Sequence, residues 1–465
     1  MEIPRYALLG ALLLYACYRL MRIGKRPKDF PPGPPTLPIL GNIHLVRKWA
    51  QEYGSVYSLM LGTKTMIVLS SDKAVKDLLD KKSANTSARP DLYTGQTLMS
   101  GGKRMVMMLL FRWPSFNDPL LQTLFRNLDN YVHLNATGGA ALADFYPILR
   151  YLPTWISAHK RKALNHYNHE IKLYTNLYRK VKASLLADPQ ARPCVMKDII
   201  ALQKEQGYSD EYASHIPGQL WEAGSDTTST QLYGFIQALL LYPEIQRRGQ
   251  SELDAVIGSD RMPTLDDMPN LPYVRACVKE CLRWLPAAIL GAFPHAASED
   301  DMYMGYNIPE GAIILLNTWT IHRDPVRYEN PTVFNPDRYI GDTSTSAESA
   351  TSIDVSKRDH FGFGAGRRIC PGMNVADRSM LLGIARIFWA FEIKPKVGKD
   401  AKVEMPVQDD FVPGFVAIPK PFGVVVTPRS EDKREIVCEE WEKVRQGLGA
   451  DGQFLTGLVR NGGVM

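Results

Sequence analysis

The residue types best suited to chemistry gather at Phe361–Met373, which reads Phe-Gly-Phe-Gly-Ala-Gly-Arg-Arg-Ile-Cys-Pro-Gly-Met. A single cysteine, Cys370, sits behind three glycines and two arginines, and Pro-Gly follows it. No Cys or His lies at zinc-site spacing, so this is not a zinc knuckle. The glycines let backbone approach a large flat group and permit positive φ. A lone thiolate on such a loop can serve as the fifth ligand of a haem iron, donating electron density that favours O–O cleavage. Backbone N–H groups facing the sulfur, with arginine charge nearby, would keep it deprotonated.

Three more groups stand upstream. Ala223-Gly-Ser-Asp226-Thr227-Thr228 falls inside a helical pattern, where Gly and paired Thr are poor choices. A locally broken rule of this kind suggests a functional site. A Thr hydroxyl there can bond back to a carbonyl one turn earlier or open the helix. The bland reading is a surface Asp beside a buried Thr pair. Glu280-Cys-Leu-Arg283 sets acid and base at i and i+3 on one helix face. Alone, that is usually a surface ion pair. Phe293-Pro294-His295 follows, and by itself is a polar loop histidine.

Phe363, Gly366, Arg368, Cys370 and Gly372 fit F-x-x-G-x-R-x-C-x-G, and the chain resembles the cytochrome P-450 family of haem-thiolate monooxygenases. The resemblance implies Cys370 as metal ligand and haem as cofactor. It implies a long helix across the distal face, with Thr227 bonding toward dioxygen and Asp226 relaying protons. O–O heterolysis needs two protons delivered without flooding the site with water. Glu280, Arg283 and Arg338 would form a structural network. Here the family's P-E-R-like segment reads Phe334-Asn-Pro336-Asp337-Arg338, with Asp for the commoner Glu. His295 and Arg368 would contact a haem propionate. Ala223, Ala287, Ile289 and the wider run to Ala292, with Phe415-Val416, would line an apolar cavity for a small apolar substrate. Electrons would come from an NADPH-dependent reductase. The stretch Pro294–Arg338 looks most like filamentous-fungal members that tailor secondary metabolites. A haem-thiolate isomerase or dehydratase is the alternative in the same fold, and the intact Asp226-Thr227 pair argues against it.

One family element is missing. Members carry a W-x-x-x-R helix whose Trp and basic residue contact a propionate, and whose outer face helps dock the reductase. Here the chain runs from Gly101 to Ser115 without it, and Trp113 precedes Pro114. Several helices' worth of chain is absent near Met108–Phe111, with a smaller shortening near Val46–Trp49. Burying propionates without partners is costly. The expectation is weak haem binding, a truncated haem-binding pseudoenzyme at the extreme, unless a segment such as Lys103-Arg104 takes over the contact.

The elements that must position these residues follow from pattern. The 465 residues carry a net charge of +6 and six cysteines. That makes no case for nucleic acid and no disulfide framework. Cys277 and Cys281 read as packed thiols. Ser55–Val68 alternates around a Gly-Thr turn, a β-hairpin, and Ser71 caps a helix through Leu79. Helical patterns cover Tyr146–Leu185, with His159–Lys162 as a solvated face. A helix from Ser209 to Leu241 contains Pro217, which should kink it or delay its start. Another runs from Tyr273 to Leu285. Short strands reach Leu316, and others cover Phe415–Ile418 and Gly423–Thr427. A charged helical tail starts at Glu431. The fold class is mainly α with a small β region (α+β), and no internal repeat is visible.

At the N-terminus, Tyr6–Tyr18 is uncharged, about 20 Å of helix against a hydrocarbon core of about 30 Å. Extension to Ile23 spans if Arg19 and Arg22 snorkel. Arg19, Arg22, Lys25, Arg26 and Lys28 then leave the bulk of the protein on the cytosolic side, here of the endoplasmic reticulum membrane. A cleavable signal peptide is the rival, without a clear cleavage site. The resulting partition is anchor and basic flank 1–30, proline hinge 31–35, monooxygenase domain 36–430 and tail 431–465.

Overall fold

The structure is a computed structural model. It describes residues 15, 18, 21–36, 50–101, 119–136, 138–187, 194–291, 293–398, 402–412 and 416–447. Phe415, Ala292, most of the N-terminal apolar run, Val46–Trp49, Lys103-Arg104 and Met108–Trp113 lie outside the described residues.

The hairpin forms as its alternation demands. Strands β1 (Val56–Leu61) and β2 (Lys64–Leu69) pair antiparallel around Gly62, at φ +60°. Ser71 caps α1 (Asp72–Val75), its hydroxyl accepting the Ala74 N–H at 3.2 Å. The helix then widens into a π turn over Lys76–Lys81. Helices α2 (Pro119–Ala136), α3 (Gly138–Phe145), α4 (Ala158–Ala187) and α5 (Val195–Gln206) follow. A loop breaks the helical pattern before α4, and the His159–Lys162 run is more than a solvated face. Lys160 donates to Leu152 O at 2.8 Å, and Arg161 to the carbonyls of Thr154 and Trp155 at 2.8 and 2.7 Å. These cations hold the loop that carries Thr154.

The central helix α6 (Asp210–Leu241) is capped by Ser209 and is assigned as one helix through Pro217. Its 32 residues span about 48 Å. Proline removes one helical bond, too little to divide a helix this long whose flanks are buried. α7 (Pro243–Val256), α8 (Pro272–Trp284) and α9 (Met373–Ala390) pack with α6 around Phe235, Leu239, Cys277, Cys281, Trp284, Ile384 and Phe388. Both α8 cysteines are buried packed thiols, and among the described residues no His, Cys, Asp or Glu cluster could hold a metal ion.

The β region is small. β3 (His295–Ala296), β4 (Asp301–Tyr303), β5 (Tyr306–Ile308) and β6 (Ile313–Leu316) follow α8. One sheet runs β1-β2-β6-β3, with β2 and β6 parallel. Its core joins Ile67, Leu69, Leu78 and Leu79 to Ile314, Leu316, Phe361 and Ala365, so the sheet and the π turn back directly onto the cysteine loop. Near the C-terminus, β7 (Phe391–Val397) pairs with β8 (Val403–Glu404) and β11 (Val424–Pro428), and β9 (Phe411–Val412) with β10 (Ile418–Pro419). The tail is α10 (Glu431–Gln446), docked on α9 by Lys433, whose ammonium lies 2.8 Å from Asp254 and 5.1 Å from the Trp389 ring centre.

The proline spacer is fastened to the sheet. Arg26 donates to Gly33 O, Pro34 O and Ser58 O at 2.7–2.9 Å. One member of the basic flank therefore ties the proline spacer to strand β1. Among the described residues, no helix is long and apolar enough to cross a membrane.

Candidate active site

The cysteine loop is shaped by two left-handed glycines, Gly364 at φ +79° and Gly366 at φ +65°. Any side chain strains that conformation. At Gly366 a Cβ would also fall 1.9 Å from the Leu79 carbonyl oxygen of the π turn. The approach is held by Asp80, whose carboxylate accepts the Gly366 N–H at 2.9 Å and pairs with Arg358 and Lys76. The Cys370 N–H donates to Phe363 O at 2.8 Å, closing the loop. The Phe363 ring meets His360 edge-on at 4.9 Å.

The half-buried Cys370 thiol is pushed above its ordinary pKa by burial, while the N–H of Gly372, donating to sulfur, acts the other way. The arginines do not supply the charge the sequence reading assigned them. Arg368 turns to Ser87 O at 2.9 Å, and Arg367 is exposed. The backbone amide is the sulfur's local support.

Glu280 and Arg283 are fully buried and pair through two 2.7 Å bonds. All five N–H groups of Arg283 are used, the remainder going to the carbonyls of His322, Pro331 and Val333. Glu280 also accepts the Asn335 N–H at 2.8 Å and faces Arg338 at 3.5 Å. A buried ion pair needs this saturation to offset desolvation. Asp337 stays out of the network and forms a two-pronged pair with Arg248 on the surface.

His322, which the sequence reading missed, carries the network to the cysteine loop. Its Nδ1 donates to Arg283 O at 2.9 Å, and its Nε2 accepts the Phe361 N–H at 2.7 Å. Both bonds require the neutral ring, and burial holds its pKa well below the ordinary value, with His360 and Arg283 adding to the effect.

On α6, Thr227 Oγ1 bonds back to Ala223 O at 3.1 Å, as the local pattern predicts. Asp226 is pushed above the usual carboxylate range by burial. Gln231 ties α6 to the end of α8 through Leu285 O at 2.7 Å. Ala287 and Ile289 are half-buried. Ala287 O accepts from Ala417 N at 2.8 Å, which brings the two predicted cavity-lining stretches together. A cavity of about 370 Å³ between α7 and α8, lined by Arg247, Arg248, Glu252 and Tyr273 among others, involves none of these residues.

His295 and Arg368 do meet, and Arg89 joins them. His295 Nδ1 lies 2.8 Å from Thr86 O and carries a proton, so Nε2 can donate to a carboxylate only when the ring is also protonated there. Burial, then Arg89 and Arg368, press its pKa down to about 4. No sequence motif marks Arg89. Its role shows only through contacts more than 200 residues away, to Phe293 O and Pro294 O at 2.8 and 2.9 Å. The residues fit haem on two grounds: a sulfur supported by an amide on a glycine-shaped loop, and the two neighbouring arginines, Arg89 and Arg368, suited to the group's two carboxylates.

Comparison with known proteins agrees. The cytochrome P450 family model matches residues 31–125 and 104–426, two runs that overlap over 104–125, the stretch in which the W-x-x-x-R helix is missing. Cytochrome P450 monooxygenase virE of Hypocrea virens is 42% identical over 521 aligned positions, covering 96% of this chain and 94% of that protein. Cytochrome P450 monooxygenase fogE of Aspergillus ruber is 40% identical, covering 97% and 96%. Cytochrome P450 monooxygenase fsoB of Humicola fuscoatra is also 40% identical, covering 94% and 93%. The 521 positions exceed the 465 residues of the chain, so virE carries residues with no counterpart here. Haem is the cofactor of these enzymes, and dioxygen, an organic substrate and a redox partner are what they work with. A loop that presents one amide-supported cysteine, a helix that presents Asp226 and Thr227, and a match along nearly the whole length give one answer: the chain belongs to the cytochrome P450 family and is a haem-thiolate monooxygenase.

Proposed function

We propose that the enzyme inserts one oxygen atom into a small apolar secondary metabolite, while an NADPH-dependent reductase supplies the electrons. Asp226 carries the reading. It is a carboxyl with its pKa raised by burial, and it directly precedes a threonine whose hydroxyl already bonds to its own helix. A carboxyl of that kind holds a proton closer to neutrality than an exposed one and can pass it on. Haem, when bound, supplies the activation of dioxygen. Cys370 holds it from the loop side, and Thr227 and Asp226 deliver protons from α6 with little water admitted. Ala223, Ala287 and Ile289 line the substrate side, with Phe415 beyond the described residues. Glu280, Arg283 and Arg338 keep the loop side fixed, and His295 with Arg368 holds the haem carboxylates.

The N-terminal apolar run and its basic flank anchor the chain in the endoplasmic reticulum membrane, with residues 36–430 as the cytosolic catalytic domain. The support is Tyr6–Tyr18 and the cations after it.

The test is reductase-supported turnover under isotopically labelled dioxygen. Labelled product should form with the wild type. In Thr227→Ala, NADPH consumption should continue while hydrogen peroxide replaces product. Unchanged coupling in that variant would remove the role given to the pair.

A further inference from the structure

The β9–β10 hairpin is gripped by α6 on both sides of its base. The two strands pair antiparallel, Phe411 with Pro419 and Val412 with Ile418, and the chain between them holds Phe415 and Ala417. Just after β10, the Phe422 ring lies on the Tyr233 ring of α6, with centres 4.6 Å apart and planes within 7° of parallel. The Tyr233 hydroxyl adds two contacts. It donates to Lys420 O at 3.5 Å and accepts the Phe422 N–H at 3.3 Å. One turn on, the buried Gln237 donates to Val407 O at 3.0 Å, on the segment that leads into β9. Lys420 and Asp410 tie the two sides together, by a backbone bond of 2.9 Å and an ion pair of 2.7 Å. Beyond the base, Ala417 N donates to Ala287 O at 2.8 Å, so the far end of the hairpin rests on the segment after α8.

The grip shares a helix face with the oxygen chemistry. Tyr233 and Gln237 stand at i and i+4, and Asp226 precedes Tyr233 by seven residues on the same continuous helix. Seven residues are two turns, so Asp226 and Tyr233 point the same way about 10 Å apart. A shift of the hairpin against α6 therefore changes its place relative to Asp226 and Thr227. Tyr233 and Phe422 are both half-buried, so truncating either opens little cavity in the core. Their pairing serves the position of the hairpin more than the filling of the interior.

We propose that Tyr233 is a positioning residue for substrate specificity. By stacking on Phe422 it fixes the β9–β10 hairpin against Ala287, and with it the cavity wall that a substrate meets. The inference rests on the reading that Ala287, Ile289 and Phe415 line the substrate side.

The probes are imidazole and 4-phenylimidazole, whose ring nitrogen shifts the Soret band when it binds haem iron. Only the second carries a ring that extends from the iron toward the wall. Both are titrated into haem-loaded full-length wild type, Tyr233→Phe, Tyr233→Ala, Phe422→Ala, the double alanine variant and Phe415→Ala. Tyr233→Ala and Phe422→Ala should each weaken 4-phenylimidazole about three- to tenfold, the range of one aromatic pair, and leave imidazole unchanged. The double variant should be no worse than either, because one truncation already removes the stack. Tyr233→Phe keeps the ring and should stay within about twofold of the wild type. Five outcomes overturn the inference. If both probes weaken alike, or a variant loses haem, the pair serves the fold alone. If Tyr233→Phe falls as far as Tyr233→Ala, the hydroxyl and not the stack carries the grip. If Phe415→Ala weakens 4-phenylimidazole while the stack variants do not, the lining reading stands and the role of Tyr233 falls. If none of the variants changes either probe, the lining reading falls as well. A wild type that gives no Soret shift with imidazole removes both.

Discussion

Cys370 and Gly366 carry opposite burdens. The cysteine supplies the sulfur, and the glycine supplies space. Cys370→Ser should abolish the thiolate-type Soret band of the reduced carbon-monoxide complex, and a retained band would refute the ligand assignment. Gly366→Ala tests the cradle. The new methyl would be placed 1.9 Å from the Leu79 oxygen, at a φ that already disfavours a side chain. Backbone strain alone is worth about 1–3 kcal/mol, and relieving the collision must pull the loop off Asp80. Haem per purified monomer should fall well below that of the wild type. Equal incorporation would show that the π turn can give way.

At the scale of elements, the loop side is a chain of bonds from α8 to the cysteine loop: Glu280 to Arg283, Arg283 O to His322, His322 to Phe361 N. Arg283→Ala leaves Glu280 charged and buried, a change that costs about 3–5 kcal/mol. Urea unfolding should report that loss, and one below about 1 kcal/mol would mean water had entered and satisfied Glu280. Part of this was legible beforehand. The i, i+3 spacing of Glu280 and Arg283 names the pair, and the helix expected over Tyr273–Leu285 is the one that carries it. His322, Asp80 and Arg89 were not legible. Each acts on the backbone of a segment 39 to 286 residues away, and a single sequence holds no record of which amide or carbonyl a side chain will meet. Asp337, in the same segment as Arg338, pairs with Arg248 on the surface and takes no part in the network.

The whole molecule should be acid-sensitive. His322 and His360 are buried and held neutral, His360 near a pKa of about 3 by burial and then Lys279. Both lie below the unfolded value of about 6.5. Their stabilising effect is therefore complete above that value and lost as pH falls from it toward about 3, each contributing up to about 1.4 kcal/mol per pH unit. The urea midpoint should drop on acidification below about pH 6.5, and His360→Phe should flatten the slope. A wild-type midpoint that stays level down to about pH 5 would count against both assignments. The proposed anchor is tested at the same scale. A chain starting at Lys25 keeps Arg26 on Gly33 and Ser58 while discarding the apolar run. It should move to the soluble fraction, whereas complete solubility of the full-length chain would dismiss the anchor.

The bond between Asp80 and Gly366 spans 286 residues, and that separation has a consequence for biogenesis. A ribosome adding about 5–20 residues per second needs roughly 15–60 seconds to travel it. During that time Asp80 has Lys76 as a neighbour but neither Arg358 nor the loop amide, and Leu78 and Leu79 wait for Phe361 and Ala365 to cover them. The sulfur's cradle is thus completed only by the last quarter of the polypeptide, whatever the earlier helices have done. Haem should load after release rather than on the nascent chain. Ribosome-stalled chains ending before Gly366 should carry none in a pulse-labelling experiment, even with α6 fully synthesised.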